Sequence, residues 1–308
     1  MSGALEPHTT SRVLMVRPAA FGANPETVAT NAFQSASGSS AEVQTAALAE
    51  FDALVQALGK HGVEVFVGED TATPVKPDAL FPNNWVSFHP GGKVVLYPML
   101  APSRRSEVRL DLLGRLEARG AIAPRTQIDL RPGAEHFGCL EGTGSLVLDR
   151  ARRIAYACLS PRTSARKIGE FCAELAYVPE LFHAADADGR AIYHTNVMLS
   201  IGTAFALLCS EAIDDERERA RVEERLMASG HELVRITRAQ TGEFAGNVLE
   251  LASKEGEPLI VLSERARAAL APAQLAVLER HGRLVSVDLD TIERHGGGSA
   301  RCMIAELF

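Results

Sequence analysis

The sequence predicts an α/β fold, a five-bladed pseudo-symmetric ββαβ propeller, on three observations. Short β-rich apolar runs alternate with amphipathic helices along all 308 residues. Polar corners stand in front of apolar strands with a period of about 50 residues, the mark of a radial array. The first apolar run lacks a unit of its own and the last would complete it, so pairing of the N- and C-terminal strands is expected to close the ring and remove an exposed sheet edge.

The strand candidates are, in order, 12–18 (RVLMVRP), 63–68, 93–99, 145–149, 153–159, 197–201, 205–210, 232–237, 248–251, 259–262, 284–289 and 302–307. Most are short aliphatic runs bounded by turn-forming residues. Helices are predicted over 41–62, 106–120, 164–176, 215–230 and 266–282, the last interrupted by Pro272. The run DDERERARVEER mixes charge signs along its helix and reads as a solvated face.

Glycines open a strand after four of the helices, in HGVEVFV, RGAIAPRTQIDL, SGHELVRIT and HGRLVSVDL. Each unit then reads corner, strand, turn, strand, helix, strand. The corners are Asn84, Ser145, Asn196, Asn247 and Cys302, spaced 61, 51, 51 and 55 residues apart. In a five-unit ring they converge on one central cavity. Buried polar groups cost about 1–3 kcal/mol each unless paired, so five at one place point to a site for a polar ligand.

A length of 308 residues fits two average domains or one large one, and the repeat favours a single domain over 1–308 with 1–11 as a flexible N-terminus. With 32 basic and 39 acidic residues the net charge is −7, which argues against a nucleic-acid partner. Apolar runs break before 18 residues, so no membrane span is expected. The start MSGALEPHTTSR has neither the basic nor the apolar region of a signal peptide. The five cysteines are dispersed, without CxxC or zinc-type spacing, so reduced thiols in a cytoplasmic setting, no metal and no cofactor are expected. A homodimer is compatible with the sequence.

Four cysteines (139, 158, 172, 209) lie in apolar or helical surroundings and read as small core residues. Cys302 differs, because it follows three glycines in HGGGSARCM that permit close approach of a ligand to the backbone. The HGGG string also resembles a lipase oxyanion loop, but no GxSxG elbow accompanies it. His194, two residues before the Asn196 corner, and Glu141, between Cys139 and the glycines of EGTGS, complete a nucleophile, an acid/base and an orienting carboxylate.

The ordered motifs FPNNW, LEGTGS, LSPRT, YHTNVM and GGGSARCM make the sequence similar to the guanidine-modifying (amidinotransferase) superfamily, over about residues 12 to 308. That group includes arginine and agmatine deiminases, dimethylarginine dimethylaminohydrolase and glycine amidinotransferase. The resemblance implies a pentein-like five-unit propeller, Cys302 as nucleophile, His194 as acid/base and Glu141 as its partner. It also implies that Arg162, in SPRT, holds the α-carboxylate of an amino-acid substrate, a task that suits a fork-shaped guanidinium.

Two departures from the deiminase pattern set the expected substrate. Where arginine deiminase-like members carry aspartates that pair with the guanidinium, this chain has Asn84 and Asn196. A cation would enter such a cavity unpaired, whereas amides match the donors and acceptor of a neutral ureido group. The expected reaction is hydrolysis of citrulline to ornithine, carbon dioxide and ammonia, as in the citrulline hydrolase (ureidase) branch. An imidazolium at His194 is expected to lower the Cys302 thiol from about 8.5. The alternatives are arginine or methylarginine hydrolysis, amidino transfer, and, more remotely, a non-catalytic binding propeller.

Overall fold

The computed structural model describes residues 6–28, 31, 33–34 and 40–308. Its strands are β1 (Arg12–Arg17), β2 (Glu64–Glu69), β3 (Val86–His89), β4 (Lys93–Leu96), β5 (Thr126–Asp129), β6 (Val147–Asp149), β7 (Ile154–Cys158) and β8 (Val178–Phe182), followed by β9 (Leu199–Ile201), β10 (Phe205–Leu208), β11 (Glu232–Arg235), β12 (Leu249–Ala252), β13 (Pro258–Ser263), β14 (Arg283–Val287) and β15 (Ala305–Glu306). They form five three-stranded sheets with one topology: β3–β4–β5, β6–β7–β8, β9–β10–β11, β12–β13–β14 and β15–β1–β2. In each, the first pair is antiparallel and the second parallel.

A parallel pair needs a crossover, and a helix supplies it in every unit. These helices are Ala41–Lys60, Leu110–Ala118, Ala165–Leu175, Glu216–Ala228 and Pro272–His281. The first shows why they form. Ser40 accepts a hydrogen bond from the Val43 amide as N-cap, and Ala47, Phe51, Leu54 and Leu58 recur four, three and four apart to make one buried stripe. The first strands of neighbouring sheets touch: β15 lies against β3, β6 against β9, and β9 against β12. Strands β3, β6, β9 and β15 are buried along their length and β12 at all but its last residue, whereas outer strands such as β5 and β11 bury one residue each. The polar corners therefore stand at the inner strands, away from solvent.

The structure departs from the predicted elements in places with clear causes. Four of the five corners sit on single helical turns, Pro82–Asn84, Gly142–Ser145, Thr195–Val197 and Ala300–Met303, and the strands begin after them. The apolar residues that follow each corner hid these turns. Strand β8 is absent from the predicted set; it contains Pro179 and is an edge strand, where a missing amide is tolerated. Pro272 is the first residue of its own helix, after a separate helix Glu264–Ala269. Of the expected flexible start, residues 1–5 lie outside the described residues. Further along, Tyr177 Oη donates to Glu6, His8 Nε2 meets the Ile201 carbonyl at 2.9 Å, and Thr10 Oγ1 donates to the Leu307 carbonyl.

Candidate active site

A pocket of about 280 Å³ is lined by Asn84, Arg162, His194 and Cys302, four of the six residues singled out in the sequence, together with Gly296, Gly297 and Gly298. Glu141 and Asn196 stand behind it, each in contact with a lining residue.

His194 and Glu141 form the closest pair, with Nε2 2.8 Å from Oε2. Glu141 also accepts the Leu100 amide and has Arg104 and Arg162 each at 3.5 Å. Burial alone would raise its pKa, but Arg162, His194 and Arg104 together hold it well below the usual carboxylate range. Burial pushes the His194 imidazole down to about 4, against the opposing pull of Glu141 and with help from the two arginines. The resting ring is therefore neutral rather than the expected imidazolium. A carboxylate only accepts, so Nε2 carries the hydrogen and Nδ1 is left as a proton acceptor. A Cβ on Gly144 would come within 2.8 Å of Nδ1 and 2.5 Å of Asn84 Nδ2, which is why this corner of the motif is glycine.

Cys302 is 5% exposed, and two amides face its sulfur: Asn247 Nδ2 at 3.2 Å and Asn196 Nδ2 at 3.5 Å. Asn196 is thus placed at the Cys302 sulfur. All five cysteines are free thiols. Burial pushes Cys158 up to about 12 and Cys172 up to about 11, which leaves them inert at neutral pH.

Arg162 is buried, lies 4.8 Å over the Tyr193 ring and donates to the Thr27 carbonyl. Sequence reasoning missed a second cation in the pocket, Arg104, and the acid beside it, Asp78. Arg104 makes a two-pronged bond to Glu107, donates to Asn84 Oδ1 at 3.0 Å and stands 3.5 Å from Asp78. With Oδ1 so engaged, Asn84 Nδ2 has no partner among the described residues although it is buried. Ser145, by contrast, has its hydroxyl filled. It accepts the Glu141 amide and the Thr163 hydroxyl and donates to the Arg162 carbonyl, so it fastens two site loops together. Among the described residues no group of three His, Cys, Asp or Glu is placed to hold a metal ion. No described helix is long and apolar enough to cross a membrane.

The glycine loop is held from behind by Glu293, which is fully buried and accepts the Ser299 hydroxyl at 2.6 Å. Burial pushes this carboxyl up to about 7. A group raised on folding stabilises the protein fully below its unfolded pKa and loses that contribution as pH rises through the folded value. The window here runs from about 4.5 to 7, opposite in sign to His194, whose lowered pKa favours the folded state as pH rises. Glu293→Gln should therefore remove on the order of 2–3 kcal/mol of pH-dependent stability across that window. Urea midpoints at pH 5 and 7.5 for both chains check it; identical slopes would refute the assignment.

A family model described as N,N dimethylarginine dimethylhydrolase, eukaryotic, matches residues 17–308. The chain belongs to this family. It is accordingly an enzyme of the guanidine-modifying superfamily that acts on carbon–nitrogen bonds. Solved structures share the family's α/β pentein fold. The N-terminal domain of ArgZ, an arginine dihydrolase of the ornithine-ammonia cycle in cyanobacteria, is 17% identical in a substrate-bound form with a TM-score of 0.73, covering 96% of this chain and 97% of that one. The same domain covalently bound to a reaction intermediate gives a TM-score of 0.74 with the same identity and coverage. A dimethylarginine dimethylaminohydrolase adduct with S-methyl-L-thiocitrulline is 15% identical, with a TM-score of 0.66 and coverage of 97% and 100%. A search of curated sequences returns no match.

Proposed function

We propose that the protein is a cofactor-free cysteine hydrolase that cleaves the ureido group of citrulline, built as one closed five-bladed propeller and working in the cytoplasm. The observation that carries the reading is the character of the groups around the nucleophile. Cys302 faces the amides of Asn196 and Asn247, and Asn84 offers a buried N–H that has no partner among the described residues. Such a site matches a neutral ureido carbonyl and leaves a guanidinium without a counter-charge at the reacting carbon.

In this mechanism His194 Nδ1 takes the Cys302 proton as substrate enters, and the resulting imidazolium is stabilised by Glu141. The thiolate attacks the ureido carbon, and His194 returns the proton to the departing δ-nitrogen, releasing ornithine and leaving a carbamoyl thioester on Cys302. Water, deprotonated by His194, then hydrolyses the thioester. The freed carbamate breaks down to carbon dioxide and ammonia, so one water is consumed per citrulline. Arg162 holds the α-carboxylate, and Asn84 and Asn196 orient the ureido group.

A second reading, arginine as substrate, is favoured by Asp78 in the pocket wall. Asp78 already faces Arg104 and accepts from Asn24, so its charge is engaged. Ammonia and ornithine release across citrulline, arginine, agmatine and methylarginines decides between them. Citrulline should show a kcat/KM at least tenfold above the rest, and the double change Asn84→Asp with Asn196→Asp should shift preference towards guanidinium substrates. A higher kcat/KM for arginine in the natural chain would overturn the citrulline reading.

A further inference from the structure

We infer that Asn247 is a catalytic residue that holds the Cys302 sulfur and donates a hydrogen bond to its thiolate. The orientation of its side chain follows from its neighbours. The Arg301 backbone N–H lies 3.1 Å from Oδ1 and can only donate, so that atom must be the oxygen. The other end of the amide is then NH₂, and its two hydrogens have two acceptors: the Asn196 carbonyl at 3.0 Å and Cys302 Sγ at 3.2 Å. Asn196 has no such constraint, since Nδ2 and Oδ1 lie 3.5 and 3.9 Å from the sulfur.

The backbone that carries Asn247 is also fixed. Its amide donates to the Phe244 carbonyl at 2.8 Å, and Phe244 itself has φ +60°, a conformation that a non-glycine residue keeps only where surroundings enforce it. Gly246 presses on the neighbouring unit so closely that a Cβ would lie 2.4 Å from the Val197 carbonyl. The donor is thereby pre-aimed at the position where negative charge develops, and it needs no reorganisation during the reaction. The remaining groups near the sulfur do not replace it. The Arg301 guanidinium turns away to Glu306, Tyr193 Oη donates to the Gly297 carbonyl, and His194 and Arg162 line the same pocket.

This assignment rests on Cys302 being the nucleophile of the proposed reaction, so its test uses a readout that needs no substrate. Alkylation of Cys302 by iodoacetamide, followed by peptide mass spectrometry across pH 5–10, should slow at least tenfold at pH 7 in both Asn247→Ala and Asn247→Asp. The Asp variant should also have its pH midpoint moved up by about one unit or more. Turnover should lose kcat with KM within threefold. Folded variants alkylated at the wild-type rate and midpoint would overturn the assignment. A variant-free measurement guards against misfolding: in the wild-type chain the Asn247 side-chain amide protons should shift through the same midpoint as alkylation and stay still in Cys302→Ser. Amide signals that do not follow the thiol would overturn it equally. Slow citrulline turnover with rapid, Asn247-dependent alkylation would fault the substrate and leave this inference standing.

Discussion

Cys302→Ala should reduce citrulline hydrolysis by about 10⁴-fold or more, to the level of binding and solvent attack alone. The expectation follows from how the sulfur is held, at 5% exposure with Asn196 and Asn247 against it, a setting that prepares one atom for attack. Removing that atom leaves His194 and Glu141 in place but gives them no nucleophile to serve. Two measurements check the covalent route. Rapid quenching of the wild type should reveal protein heavier by one carbamoyl group, and the variant should show none while still binding citrulline by calorimetry. Substantial turnover by the alanine variant would end the covalent mechanism.

Glu141→Gln should damage catalysis and folding together. For catalysis, the amide cannot stabilise an imidazolium and no longer fixes the Nε2–H tautomer, so kcat should fall by about 10³–10⁴-fold. For folding, the buried carboxylate is within 3.5 Å of both Arg104 and Arg162, and removal of one member of a buried charge cluster costs about 3–5 kcal/mol. The sign with pH is the reverse of that for Glu293. A carboxyl lowered on folding stabilises the protein above its unfolded pKa, and that contribution is lost as pH falls below about 4.5. Wild type and variant should thus converge in stability in acid and separate at neutral pH. Equal urea midpoints at pH 7, or kcat within tenfold of wild type, would refute these roles.

The unit of the fold and the core of the site were legible because each leaves a pattern. The period of the corners marks five units along the chain, and Asn84, Arg162, His194 and Cys302 line one pocket. Other features left no pattern. Arg104 stands in APSRRSEVRL, where two adjacent arginines read as solvent-facing charge, and only the fold shows that one of them is buried. Asp78 precedes an apolar run and gives no hint that its side chain meets Asn24 and Arg104 from distant segments. Asn247 was visible as a corner, but its role depends on the Arg301 amide, 54 residues along the chain. Contacts of that kind are set by neighbouring units, which no local window spans.

The sheet β15–β1–β2 has a consequence for the order of assembly. Four sheets are built from neighbouring stretches of chain, but Val13 pairs with Glu306, which closes nearly the whole polypeptide into one loop. Loop entropy makes that pairing about 3 kcal/mol harder to form than a ten-residue hairpin, so it belongs late in folding and early in unfolding. Cys302 lies three residues before β15 begins, on the Ala300–Met303 helical turn. The turn that carries the Cys302 sulfur is therefore tied to the joining of the two chain ends, and so are Gly296, Gly297 and Gly298 of the same pocket wall.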